Sequence, residues 1–249
     1  MIALVSVSVA LIALILIGTI ISVAQKIKER DVSSIPGNAK EYDPAAVEMQ
    51  EPSVLTGKNI LFLGSSVTLG TASGGVSFAD YIAKRNGATY VKEAVGGTTL
   101  ASGKNSYLRR LKTVEAEKFD LFVCQLSTND ANGKKPLGSI DDKTDNTVSG
   151  AINAIVSYVR EKWDCPIVFY TNAYFESDPY AAMVKRLEEL AEKDDFGVID
   201  LYTDTVFNDI DKEQKNLFMA DDVHPTRAGY LCWWTPRMEE YLKSYLKVR

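Results

Sequence analysis

Residues Asn59–Gly70 read NILFLGSSVTLG, and this stretch decides the fold. Asn59–Gly64 (NILFLG) is almost unbroken Ile, Leu and Phe. A strand buried on both faces has that composition, whereas a strand with one wet face would alternate. It ends on Gly64-Ser65-Ser66, a turn, and the chain then continues through Val67-Thr68-Leu69-Gly70. Four more short apolar runs follow: Thr89–Val95 (TYVKEAV), Phe119–Leu126 (FDLFVCQL), Pro166–Thr171 (PIVFYT) and Gly197–Leu201 (GVIDL). Amphipathic stretches lie between them. Asn146–Trp163 repeats Val148, Ile152, Ile155, Val156 and Val159 at helical spacing, and Tyr180–Lys193 does so with Met183, Leu187 and Leu190. Strands alternating with helices predict an α/β fold, with a parallel sheet of about five strands covered on both faces. Ligands bind such sheets at the carboxyl ends of the strands.

The chain has 249 residues, 46% hydrophobic and 24% charged, with a net charge of −5. That suffices for one sizeable core. It carries no Lys/Arg-rich stripe, so no nucleic-acid partner is expected. Cys124, Cys165 and Cys232 form neither a disulfide framework nor a zinc pattern and read as buried free thiols. A Cys124–Cys165 pair would need neighbouring strands to bring the two together.

Residues 2–24 (IALVSVSVALIALILIGTIISVA) carry no charge. About 20 such residues cross hydrocarbon as a helix. A cleaved signal peptide would have a basic n-region and a shorter apolar core. Residues 1–25 are therefore expected to be a single-pass transmembrane anchor. Lys26, Lys28 and Arg30 follow the span and none precedes it, which favours a cytoplasmic domain. The side of the membrane that the domain faces stays open. Residues 26–56, punctuated by Pro36, Pro44 and Pro52, read as a polar linker, and the folded domain as 57–249.

Four segments sit where the sheet rule places a site. Gly64–Gly70 follows the first strand, Gly96-Gly97-Thr98-Thr99 the second, and Ser127-Thr128-Asn129-Asp130 the third. Asp221-Asp222-Val223-His224-Pro225 lies near the C-terminus. A serine hydroxyl needs a base to take its proton. His224 is the single histidine of the chain, so any imidazole chemistry falls to it. A carboxylate three residues back, Asp221, can fold onto its ring and fix the tautomer. Asp222 is the competing carboxylate, less suited by spacing. The Ser66 N–H, the Gly97 N–H and the Asn129 amide are candidate donors to an oxyanion. Thr226 is an expected helix cap, Tyr230, Trp233 and Trp234 are expected packing, and Pro236 should kink or divide the last helix. Tyr174 and Phe175 follow the fourth strand and suit either packing or an acyl or sugar pocket.

In order and spacing these four blocks resemble those of the SGNH hydrolase superfamily, the GDSL-type lipases and esterases. The resemblance covers about residues 57–249. It implies a flavodoxin-like three-layer α/β/α sandwich and hydrolysis of acyl esters with no metal and no cofactor. It also implies Ser66 as nucleophile, in preference to the adjacent Ser65, with Asp221 and His224 as its partners. Ser66, Gly97 and Asn129 would form the oxyanion hole. Two positions depart from the family pattern: Ser65 stands where Asp is usual, and Ser127 where Gly is usual. The substrate expected is a small-molecule or glycan acyl ester. The alternatives are an acyltransferase or deacetylase acting on cell-envelope carbohydrate, and a surface module that keeps the fold without turnover. The residues do not indicate an oligomeric state.

Overall fold

The computed structural model describes residues 32–249. The expected anchor at 1–25 lies outside the described residues. Among those described, no helix is long and apolar enough to cross a membrane.

The elements alternate as expected. β1 (Asn59–Gly64) leads into the short helix α1 (Ser66–Leu69). Then come α2 (Phe78–Asn86), β2 (Thr89–Ala94), α3 (Tyr107–Leu111), β3 (Leu121–Gln125) and α4 (Thr128–Asn132). They are followed by α5 (Val148–Lys162), β4 (Ile167–Tyr170), α6 (Asp178–Asp194), β5 (Gly197–Ile199) and α7 (Lys212–Phe218). A π-helical segment, Gly229–Trp234, runs into α8 (Thr235–Lys247).

All strand pairs are parallel, in the order β2-β1-β3-β4-β5. The chain reverses direction across the sheet between β1 and β3, so the crevice beyond their carboxyl ends is the switch point where such folds bind ligands. β1, β3 and β4 are buried along nearly their whole length, which explains their continuous apolar runs. One core layer packs α5 and α6 on Leu61, Leu63, Phe122 and Phe169. The other packs α2, Trp234 and α8 on Ile60, Phe62, Val123 and Val168. β2 is an edge strand and its first three residues are exposed, which explains its polar reading.

One detail differs from the sequence reading, at Cys232, while the expectations at Thr226, Tyr230 and Trp234 hold. Cys124 and Cys165 are buried free thiols, but Cys232 is exposed, because it lies on the outer side of the π-helical turn. Thr226 caps its helix through an Oγ1 bond from the Gly229 N–H (3.2 Å). Pro236 sits in the first turn of α8, directly after the π segment, where its missing N–H is tolerated. Tyr230 and Trp234 are core residues.

Residues 32–56 are polar and proline-rich, yet they lie on the domain. Asn38 is buried, and its Nδ2 donates to the Val32 and Ala72 carbonyls (both 2.7 Å). Its Oδ1 accepts from the Arg227 N–H (2.9 Å). Arg227 pairs with Asp43 (3.0 Å), and the Tyr81 hydroxyl donates to the Tyr42 carbonyl (2.5 Å). Specific hydrogen bonds hold this strap, and they leave no apolar periodicity for a sequence reading to detect.

Candidate functional site

Gly64 closes β1 against Thr68 and Gln125; a Cβ there would stand 1.7 Å from the Thr68 Oγ1. Only glycine permits that approach, and it lets the chain turn at once into α1, with Ser66 as its first residue. The Ser66 N–H therefore lies in the first turn of a helix, where it has no helical partner. Ser65 is fully buried beneath it. The Gln125 Oε1, from the end of β3, accepts from the Ser65 N–H (2.8 Å), the Ser65 Oγ (3.2 Å) and the Thr68 Oγ1 (2.9 Å). The Tyr230 hydroxyl donates to the Val67 carbonyl (2.6 Å). Serine at 65 thus serves as a small buried donor to a glutamine, where a family member would carry a carboxylate.

On the other side, Asp221 organises its own loop. Its Oδ1 accepts from the Val223 and His224 N–H groups, both at 2.8 Å. The carboxylate lies 2.8 Å (Oδ2) and 2.9 Å (Oδ1) from the His224 Nδ1. The opposite ring nitrogen, Nε2, lies 2.8 Å from the Ser66 Oγ. Partial burial pushes the Asp221 carboxyl up. The hydrogen bonds from the Val223 N–H, the His224 ring and the His224 N–H outweigh burial and hold it below the ordinary carboxylate range. The loop is pinned at its base, where the Ala220 N–H donates to the His224 carbonyl (2.9 Å) and the Thr226 N–H to the Phe218 carbonyl (2.8 Å). Asp222 makes no such bond to the ring; Asp221 takes that place.

The remaining two candidates come from the loops after β2 and β3. Gly97 has φ +75°, a left-handed conformation that favours glycine. A Cβ on its neighbour Gly96 would lie 3.9 Å from the Ser66 Cβ, which puts this loop beside the serine. The Asn129 Nδ2 donates to the Thr98 carbonyl (2.9 Å), leaving its second N–H for another acceptor. The Ser127 Oγ caps α4 by accepting from the Asn129 N–H (3.2 Å), a bond that glycine could not make.

The roles of three supporting residues escaped the sequence reading. Asp130 is fully buried and accepts from the Leu100 (2.7 Å) and Ala101 (2.8 Å) N–H groups, which fixes the loop carrying Gly97. Burial raises its carboxyl above the ordinary range, although those two backbone bonds and Ser127 act to lower it. Arg110 spans the same loop. It donates to the Gly64 carbonyl (2.7 Å), the Thr98 Oγ1 (3.2 Å) and Glu93 (2.9 Å). Gln125 is the third. No local pattern announces their roles, since the partners named here lie 12 to 60 residues away.

A cleft of about 550 Å³ lined by Val54, Lys118, Trp163 and Arg249 opens at the amino ends of the strands. It is at the wrong end of the sheet for this chemistry.

Residues 62–231 match the model of the GDSL-like lipase/acylhydrolase family. The chain belongs to this family. Membership supports a hydrolase of the SGNH type. Among solved structures, a protein from Lactobacillus plantarum aligns at 19% identity over 76% of this chain and 98% of its own, with a TM-score of 0.66. A member of the lipolytic protein G-D-S-L family from Veillonella parvula aligns at 16% identity over 73% and 96%, with a TM-score of 0.54. At these identities the likeness speaks for the fold. No curated protein matches the chain.

Proposed function

We propose that the chain hydrolyses acyl esters through a covalent acyl-serine intermediate. The observation that carries this reading is the unbroken contact from Asp221 through His224 to Ser66, with 2.8 Å at each end of the imidazole. Ser66 Oγ attacks the ester carbonyl carbon while His224 Nε2 takes its proton. Asp221 holds the Nδ1–H tautomer and stabilises the imidazolium. The tetrahedral oxyanion is met by the Ser66 N–H, the Gly97 N–H and the free N–H of the Asn129 amide. The imidazolium then protonates the departing alkoxide, and the C–O bond of the ester breaks. In the second half, water gives its proton to His224 and attacks the acyl carbon. The carboxylic acid leaves and Ser66 recovers its proton.

Residues 2–24 serve in this reading as an uncleaved membrane anchor. Hydrolysis is favoured over a non-catalytic module because the serine, imidazole and carboxylate lie in hydrogen-bonding reach in the required order. The test is turnover of a short p-nitrophenyl ester by the wild-type chain and by Ser66→Ala. The expected loss is at least about 10³-fold, since the nucleophile is removed while the fold is kept. Equal turnover by the two pure proteins would reject the assignment.

A further inference from the structure

The strap tells where the chain enters the domain. Asn38 ties the Val32 carbonyl to the Ala72 carbonyl and to the Arg227 N–H. Ala72 lies six residues after Ser66, next to Thr71, whose Oγ1 borders Gly96. Arg227 lies three residues after His224. Gly37 is wedged so tightly against Leu217 and Thr226 that a Cβ would overlap both. Residues 32–38 therefore sit at the rim of the candidate site, at the carboxyl ends of the strands. The strap then descends alongside α2. Asp43 pairs with Arg227, the Gln50 N–H bonds the Arg85 carbonyl (2.7 Å) near the far end of α2, and Leu55 is buried just ahead of β1. The polypeptide runs from the catalytic edge to the opposite edge before β1 begins.

This direction has a consequence for geometry. Between the uncharged stretch 2–24 and Val32 stand seven residues, 25–31. Even fully extended, seven residues reach only about 25 Å. Whatever holds residues 2–24 also holds the rim beside Ser66 and His224 within that reach, and holds it from the active-site side. Had the strap entered at the amino ends of the strands, the same anchor would have turned the site away.

The surface at that rim fits the same orientation. Three large apolar side chains are exposed in loops at the carboxyl ends of strands: Val95 after β2 (37%), Tyr174 after β4 (59%) and Val206 after β5 (85%). The side chain of Asn208 joins two of these loops: its Oδ1 accepts from the Tyr174 N–H (2.9 Å) and its Nδ2 donates to the Leu201 carbonyl (2.7 Å). Such residues are suited to an interface of headgroups and acyl chains, where an aromatic with a polar end is favoured.

We propose that the catalytic mouth faces the bilayer that anchors the chain, and that its substrate is an amphiphile whose acyl ester lies in the headgroup layer. This rests on the acyl-ester reading above and narrows it to a lipid-borne ester. Short tethering raises the local concentration of such a substrate. An esterase whose mouth faced away would gain nothing from the tether.

The test uses the full chain reconstituted in phosphatidylcholine vesicles, with a fluorogenic ester of a long-chain lipid in the membrane and a short p-nitrophenyl ester in solution. A variant carries a flexible 30-residue Gly/Ser spacer between residues 31 and 32. Effective concentration falls roughly as the −3/2 power of tether length, so the ratio of vesicle to soluble turnover should drop about tenfold. Soluble turnover should stay unchanged. Val206→Ser should lower the same ratio by a smaller factor. An unchanged ratio in the spacer variant overturns the proposal. So does a full chain that fails to remain with the vesicles after an alkaline wash, or one that releases acetate from acetylated glycan while leaving the lipid ester intact. Soluble turnover that is lost in Ser66→Ala keeps the hydrolase reading in every one of these cases, so the two claims fail separately.

Discussion

The two halves of the candidate site are built differently. The nucleophile half is buried and supported from afar. Ser66 sits on a helix start whose neighbours bond to Gln125 on β3, Tyr230 on the π segment and Tyr170 on β4. The base half is an exposed loop that makes its own shape: the Asp221 side chain is 58% exposed and caps the two backbone N–H groups that precede the His224 ring. A reactive hydroxyl needs a fixed direction of attack, which the sheet supplies. A proton carrier needs only a fixed tautomer and a short reach, which three local hydrogen bonds supply.

The sharpest way to break this contrast is Asp221→Asn. The amide oxygen keeps the loop caps, so thermal unfolding should hardly change. The ring loses its carboxylate and its tautomer control, and kcat should fall by about 10³–10⁴-fold. A large drop in Tm with modest loss of kcat would show that the loop, not the chemistry, depends on Asp221. Gln125→Leu attacks the other half. It strands the buried Ser65 N–H, at a cost of about 1–3 kcal/mol for the unsatisfied group, and leaves the Thr68 hydroxyl with Tyr170 as its remaining partner. Chemical denaturation should show the loss, and kcat should fall with it because α1 is no longer held.

The same two halves differ in how far a sequence reveals them. The strand NILFLG is legible because a doubly buried strand must be apolar throughout, and its boundaries are those of β1. Asp221 and His224 are legible because a local loop leaves a local spacing. Gln125, Arg110 and Asp130 are not, because each acts across the sheet on backbone groups that any residue would present. The strap is the other case. Its prolines and charges resemble those of a tether, while its attachment depends on single side chains such as Asn38 finding distant carbonyls.

Asp130 offers a pH test of the buried half. Its folded-state carboxyl is raised, so ionisation is penalised in the fold. Its stabilising contribution is complete below the ordinary carboxylate value of about 4 and declines as pH rises through the folded value. The wild-type advantage in unfolding free energy over Asp130→Asn should therefore shrink as pH is raised from below about 4 toward neutrality. An advantage that grows over that range would mean that hydrogen bonding to Leu100 and Ala101 outweighs burial. The smallest effect belongs to Ser127→Ala, which removes the cap on α4 and should cost about 1 kcal/mol by denaturant titration. No change would make that serine incidental.

The central claim is that Ser66 is a nucleophile activated by His224. A fluorophosphonate probe with peptide mass spectrometry tests it directly, because the probe bonds an activated serine and the mass shift names the residue. The wild-type chain should carry the adduct on Ser66, and His224→Ala, folded as judged by circular dichroism, should carry almost none. Labelling of another serine, or equal labelling of Ser66 without the imidazole, would contradict it.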